Sequence, residues 1–147
     1  MDDSQIKESE RKKRYLKRYK KNLALINRLE NKLTDLNERI YKIKSTNFSA
    51  MPKGSKPIDL SDLVSDKEEL IARIKRLQNR GKILKTETLI LIDELEDVRY
   101  AEILESFFID CKSFEDIAED TGYSTRYVIK IYMKAISNVS IESLNGQ

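Results

Sequence analysis

The chemistry open to this chain is set first by what it lacks. Its 147 residues include no His and a single Cys, Cys111. Without His there is no ordinary general base near neutral pH, no Ser-His or Cys-His nucleophile pair and no common zinc site. One Cys makes neither an intramolecular disulfide nor a cysteine metal cluster. Cys111 therefore reads as a partly buried packing residue of a reducing compartment. Carboxylates are plentiful, but they stand in helical salt-bridge patterns such as Asp66-Lys67-Glu68-Glu69, not as isolated pairs among apolar residues. No glycine-rich phosphate loop occurs. The sequence predicts no catalytic residue, no metal and no cofactor, and so a protein that is not an enzyme.

What remains is recognition through cations, and one window arranges them for it. Phe114 to Met133 has the residue types of two helices meeting at an angle across a tight turn. Ala118 is small where the second helix must cross the first. Gly122, four residues later, can take the positive φ of the turn. Val128 and Ile131, three apart, point back at the first helix, and Ile117 and Tyr123 complete a small core. Ser113, with Asp116 three residues on, is close to a capping box, and Ser124 can cap the second helix. The window reads as a helix-turn-helix, the second helix being the recognition helix.

With Val128, Ile131, Ala135 and Ile136 facing inward, Ser124, Thr125, Arg126, Tyr127, Ile129, Lys130, Met133 and Lys134 are the residues expected to meet double-stranded DNA. Arg126 and Lys130 suit guanine O6 and N7, Thr125 a base edge or a phosphate, and Ile129 a thymine methyl. Lys134, further along, suits a phosphate. The surrounding segment is acidic: residues 97–147 hold nine acids and five bases, a net charge of −4. Phosphate neutralisation supplies most non-specific affinity, so affinity must come partly from elsewhere.

A second source lies near the N-terminus. Eight of the eleven residues 11–21 are basic and none is acidic, and Tyr15, Leu16 and Tyr19 interleave them. Like charges so close destabilise an isolated helix, so the run needs compensation. A phosphate backbone held by Arg11, Lys12, Lys13, Arg14, Lys17 and Arg18 would supply it. A solvated helix end, or an acidic protein patch such as the C-terminal module of a partner chain, is the alternative.

The elements that must position these groups are helical. Charged residues make up 36% of the chain, with four Gly and two Pro, a profile of long helices. Residues 5–45 contain neither Gly nor Pro and carry the stripe Leu16, Tyr19, Leu23, Ile26, Leu29, Leu33, Leu36, Ile40 and Ile43, which predicts one long helix. Residues 46–58 hold both prolines and read as a loop. A second helix begins near Asp59 or Ser65, the latter in a capping box with Glu68, and continues to about 96 with a bend or break expected at Gly81. The predicted fold is all-α: a long antiparallel, coiled-coil-like helical hairpin over residues 1–96, then a trihelical helix-turn-helix module over 97–139 whose first helix runs from Asp97 to about Ile109, and a mobile tail over 140–147. Apolar stripes this long favour a coiled-coil homodimer, which would also put two recognition helices on adjacent half-sites. No apolar run reaches membrane-spanning length and Met1-Asp2-Asp3-Ser4 is polar, so no membrane is expected and the predicted location is the cytoplasm.

Two stretches carry a family resemblance. Tyr100, Lys112-Ser113-Phe114-Glu115-Asp116-Ile117-Ala118, Gly122-Tyr123-Ser124 and Val128 to Ile136 resemble the fourth-region helix-turn-helix of bacterial sigma factors. With the preceding Met51-Pro52-Lys53-Gly54 loop, the chain over about 50–137 is similar to small phage-encoded transcriptional regulators of the ArpU/RinA group. The resemblance implies a DNA-binding regulator, an activator, of phage or prophage late genes in a bacterial host cytoplasm, with host RNA polymerase as a further partner. Its base-reading positions fall on Thr125, Arg126, Ile129 and Lys130; Ile129 and Met133 stand where sigma recognition helices usually carry charge. Two other functions fit a helix-turn-helix beside long helices: a small-terminase-like packaging protein, or an inhibitor that binds a host protein.

Overall fold

The computed structural model describes residues 2–46 and 60–141, and these form six helices and no strand. They are α1 (Asp3–Leu16), α2 (Arg18–Thr46), α3 (Leu60–Asp93), α4 (Val98–Phe108), α5 (Phe114–Thr121) and α6 (Thr125–Asn138). The all-α architecture of a helical hairpin plus a helix-turn-helix module is the one the periodicity predicts. The expected loop, the Met-Pro-Lys-Gly stretch within it and the tail from 142 onward lie outside the described residues.

The chain forms two compact units, Leu23–Arg80 and Met1–Asn22 with Gly81–Gln147. The first is the hairpin. Here α2 and α3 pack through Ile26, Leu29 and Ile74, flanked by the half-buried Leu25, Leu33, Leu70 and Leu77. Ile40 and Leu63 are also buried. Helix α3 starts by Leu60, so Ser65 lies inside it and not at a cap.

The second unit is larger than the trihelical module expected over 97–139. One cluster contains Leu16 of α1, Leu91 and Ile92 of α3, Ile103, Leu104 and Phe108 of α4, Ile117 of α5, and Val128, Ile131, Ala135 and Ile136 of α6. A boundary at 96/97 would cut through this core. Helices α4 to α6 leave apolar surface that they do not cover among themselves, and α1 and the end of α3 cover it. The core continues past α6: Val139 and Ile141 are 2% and 3% exposed, so Ile141, expected to lie in a mobile tail, is packed in the core instead.

Two expectations about helix continuity are corrected. The single helix over 5–45 is broken at Lys17, whose ψ of −7° departs from helical values. The cause is a side chain in the backbone ladder. Arg18 Nε donates to the Tyr15 carbonyl at 3.0 Å, its guanidinium lies 3.7 Å from the centre of the Tyr15 ring, and Nη2 reaches Glu87 at 2.6 Å. Conversely, α3 continues without a break through Gly81. Gly81 is buried, and a Cβ there would stand 2.9 Å from Asn22 Nδ2, so glycine admits a close approach between helices. Thr88, in the same seam, is fully buried with Oγ1 donating to the Leu84 carbonyl.

Candidate nucleic-acid interface

The turn that aims α6 is built from local chemistry. Ser113 Oγ accepts from the Asp116 N–H at 3.1 Å and starts α5. Gly122 ends it at φ 79°, with its N–H on the Ala118 carbonyl at 2.9 Å. Ser124 Oγ then accepts from the Tyr127 N–H at 3.1 Å and starts α6. Each cap is worth about 1 kcal/mol, and together they fix where the second helix begins. Ala118, Ile117, Val128 and Ile131 are buried as their spacing predicts.

Tyr123 is not in that core. It is 37% exposed and sets its ring edge-on to Tyr127, 4.9 Å between centroids. The place goes to Tyr132, which the periodicity did not single out. Tyr132 packs with Phe107 and Phe114, themselves stacked at 4.8 Å. Burial, and secondarily Glu10, pushes the Tyr132 phenol up to about 12.

On the outward face of α6, Arg126, Ile129, Lys130, Met133 and Lys134 are exposed, Ser124 is exposed at the cap, and Thr125 is half-buried. Arg126, Lys130 and Lys134 lie four apart, in one row along the helix. Among the described residues none of the three has an ion-pair partner. Like charges at this spacing cost an isolated helix a few tenths of a kcal/mol per pair, and the core on the opposite face holds the row in place. Tyr127 is half-buried and its hydroxyl accepts from Arg99 Nη1 at 2.7 Å. Asp97, the N-cap of α4, holds Arg99 at 2.9 Å, and the hydrogen bond from Arg99 keeps the Asp97 carboxyl below its usual range. Tyr127 is thus tied to α4, a link that no spacing in the sequence signals. Met133 shares an open groove of about 470 Å³ with Ser137 and with Gln5, Glu8 and Lys12 of α1, apart from the first turn of α6.

The face beside α6 is acidic. Glu115, Asp116, Glu119 and Asp120 of α5 are all exposed. Lys112 pairs with Asp120 at 2.6 Å, and that hydrogen bond raises the lysine. Cys111, expected to be partly buried, is exposed. The connection from α4 turns outward there, with φ 57° at Cys111 while the Asp110 and Lys112 N–H groups bond the Glu105 and Ser106 carbonyls.

The basic run of residues 11–21 is largely compensated within the chain. Arg11 pairs with Glu8 at 2.9 Å, and this hydrogen bond lowers the Glu8 carboxyl. Lys13 pairs with Glu10 at 3.4 Å. Lys12 Nζ donates to the Ser137 carbonyl at 3.2 Å, satisfying the C-terminal end of α6 where a cation is favoured. Arg18 is held by Glu87, and Lys20 lies 3.8 Å over the Phe107 ring. Of the expected phosphate ligands, Arg14 and Lys17 have no such partner among the described residues; Lys7 and Lys21, outside the expected set, share that condition.

Among the described residues no helix is long and apolar enough to cross a membrane, and no group of three or more potential metal ligands occurs. Neither family models, nor curated proteins, nor solved structures match the chain.

Proposed function

We propose that the chain is a sequence-specific DNA-binding transcriptional regulator, an activator of phage or prophage late genes acting as a homodimer in a bacterial cytoplasm, with host RNA polymerase as a further partner. One observation carries this reading. Arg126 and Lys130 stand unpaired and exposed on the first turns of a capped, core-anchored helix whose first turn rises directly from a glycine turn. A cation row without intramolecular carboxylates suits an anionic partner, and side chains on the N-terminal turns of such a helix reach base edges. Thr125 and Ile129 complete the reading surface, Ser124 and Tyr127 position it, and Lys134 meets a phosphate. Arg14 and Lys17 are the members of the N-terminal run best suited to add phosphate contacts.

Replacing Arg126 by Ala tests the assignment. On the preferred site the loss is about 1–3 kcal/mol, with relaxed preference at one base pair. Equal weakening on all sequences would instead make Arg126 a phosphate ligand. The exposed carboxylates of α5 favour one second reading, in which the module docks on a basic host protein. Retention of such a protein by a chain that binds no DNA would support it.

A further inference from the structure

The hairpin carries a surface that DNA readout does not use. Between α2 and α3 runs an open groove of about 420 Å³, lined by Lys32, Asp35, Leu36 and Arg39 from one helix and Asp66, Glu69, Leu70 and Arg73 from the other. Both sets follow the spacing i, i+3, i+4, i+7, so each is one face of its helix. Each puts a half-buried leucine between a carboxylate and an arginine. Asp35 and Glu69 stand four residues before Arg39 and Arg73, the spacing and order that suit an intrahelical pair. Neither pair closes, and among the described residues none of the six charges has an ion-pair partner.

Three cations and three anions make the groove neutral, which suits neither a phosphate backbone nor a uniformly acidic or basic protein. Their order along the hairpin suits something more specific. The approaches of Arg18 to Glu87 and of Asn22 to Gly81 show that α2 and α3 run in opposite directions. Along the groove Lys32 therefore falls toward Arg73, Asp35 toward Glu69, and Arg39 toward Asp66 at its far end. A pair of cations is followed by a pair of anions. A two-fold axis passing between those levels sets the cations of one copy on the anions of the other, and the reverse. The same operation lays Leu36 and Leu70 against the facing hairpin.

We propose that this groove seats a second copy of the chain, with Lys32 and Arg73 facing Asp35 and Glu69 across the two-fold axis. The inference names the surface behind the dimer proposed above and is independent of DNA.

Two double variants test it without any need to know individual pairs. Lys32→Glu with Arg73→Glu makes the two levels wholly acidic, and Asp35→Lys with Glu69→Lys makes them wholly basic. Light scattering without DNA should give a dimeric wild type. Each variant alone should dimerise at least about tenfold more weakly, since like charges then face each other, with helical circular dichroism retained. An equimolar mixture should recover the dimer mass. A monomeric or higher-order wild type, or a dimer that both variants keep, overturns the proposal. Because stoichiometry is read without DNA, either result leaves DNA binding to be judged on its own.

Discussion

Phe108→Ala should lower the unfolding free energy by about 3–5 kcal/mol, the usual cost of truncating a fully buried Phe. Phe108 is 0% exposed and belongs to the cluster that joins α1, α3, α4, α5 and α6. Its ring meets Phe107 edge-on at 4.9 Å and lies 6.0 Å from Tyr132, so truncation removes aromatic contacts as well as area. Against a typical domain stability of about 5–15 kcal/mol the loss is large. Urea denaturation followed by circular dichroism reads it as a drop in midpoint at unchanged slope. A loss under about 1 kcal/mol would mean that this core is looser than its packing indicates.

Leu16→Ala should cost about 2–5 kcal/mol, far more than a leucine near the end of an isolated arm would. Leu16 is 0% exposed, and the elements that bury it follow it by more than seventy residues in sequence. The same substitution at Leu36, which is only half-buried in the hairpin, is the internal comparison and should cost clearly less in the monomer. Equal small losses at both positions would return α1 to the status of a loosely attached basic arm. Loss at Leu16 alone would establish α1 as part of the core shared with α4, α5 and α6.

The helix-turn-helix was legible because its constraints are local. Ala118 at a crossing, Gly122 at a positive φ and Ser113 and Ser124 at caps each follow from the conformation of a few neighbouring residues. Apolar stripes likewise gave the helices and the buried side of α6, because a period of 3.6 is a local property. What stayed hidden depends on partners distant in sequence. The N-terminal run called for compensation, but nothing in residues 11–21 shows that Glu87, the Ser137 carbonyl and the Phe107 ring provide much of it. The break at Lys17 follows from where Arg18 finds its partners, not from a helix-breaking residue. Gly81 read as a weak point in α3 because propensity alone was visible; the nearby Asn22 side chain gives the glycine a steric purpose. Tyr132 takes the core place that the sequence gives to Tyr123, because Phe107 of α4 and Phe114 of α5, its ring partners, are identified only by the packing.

Binding of the purified chain to fragments tiling the genome that encodes it, at two salt concentrations, tests the central claim most directly. A DNA reader should hold one fragment much more tightly than the rest at both salts, and Arg126→Ala should erase that preference. Uniform binding that collapses as salt rises would reduce the contact to phosphate neutralisation. No binding to any fragment would contradict the DNA-reading role of α6.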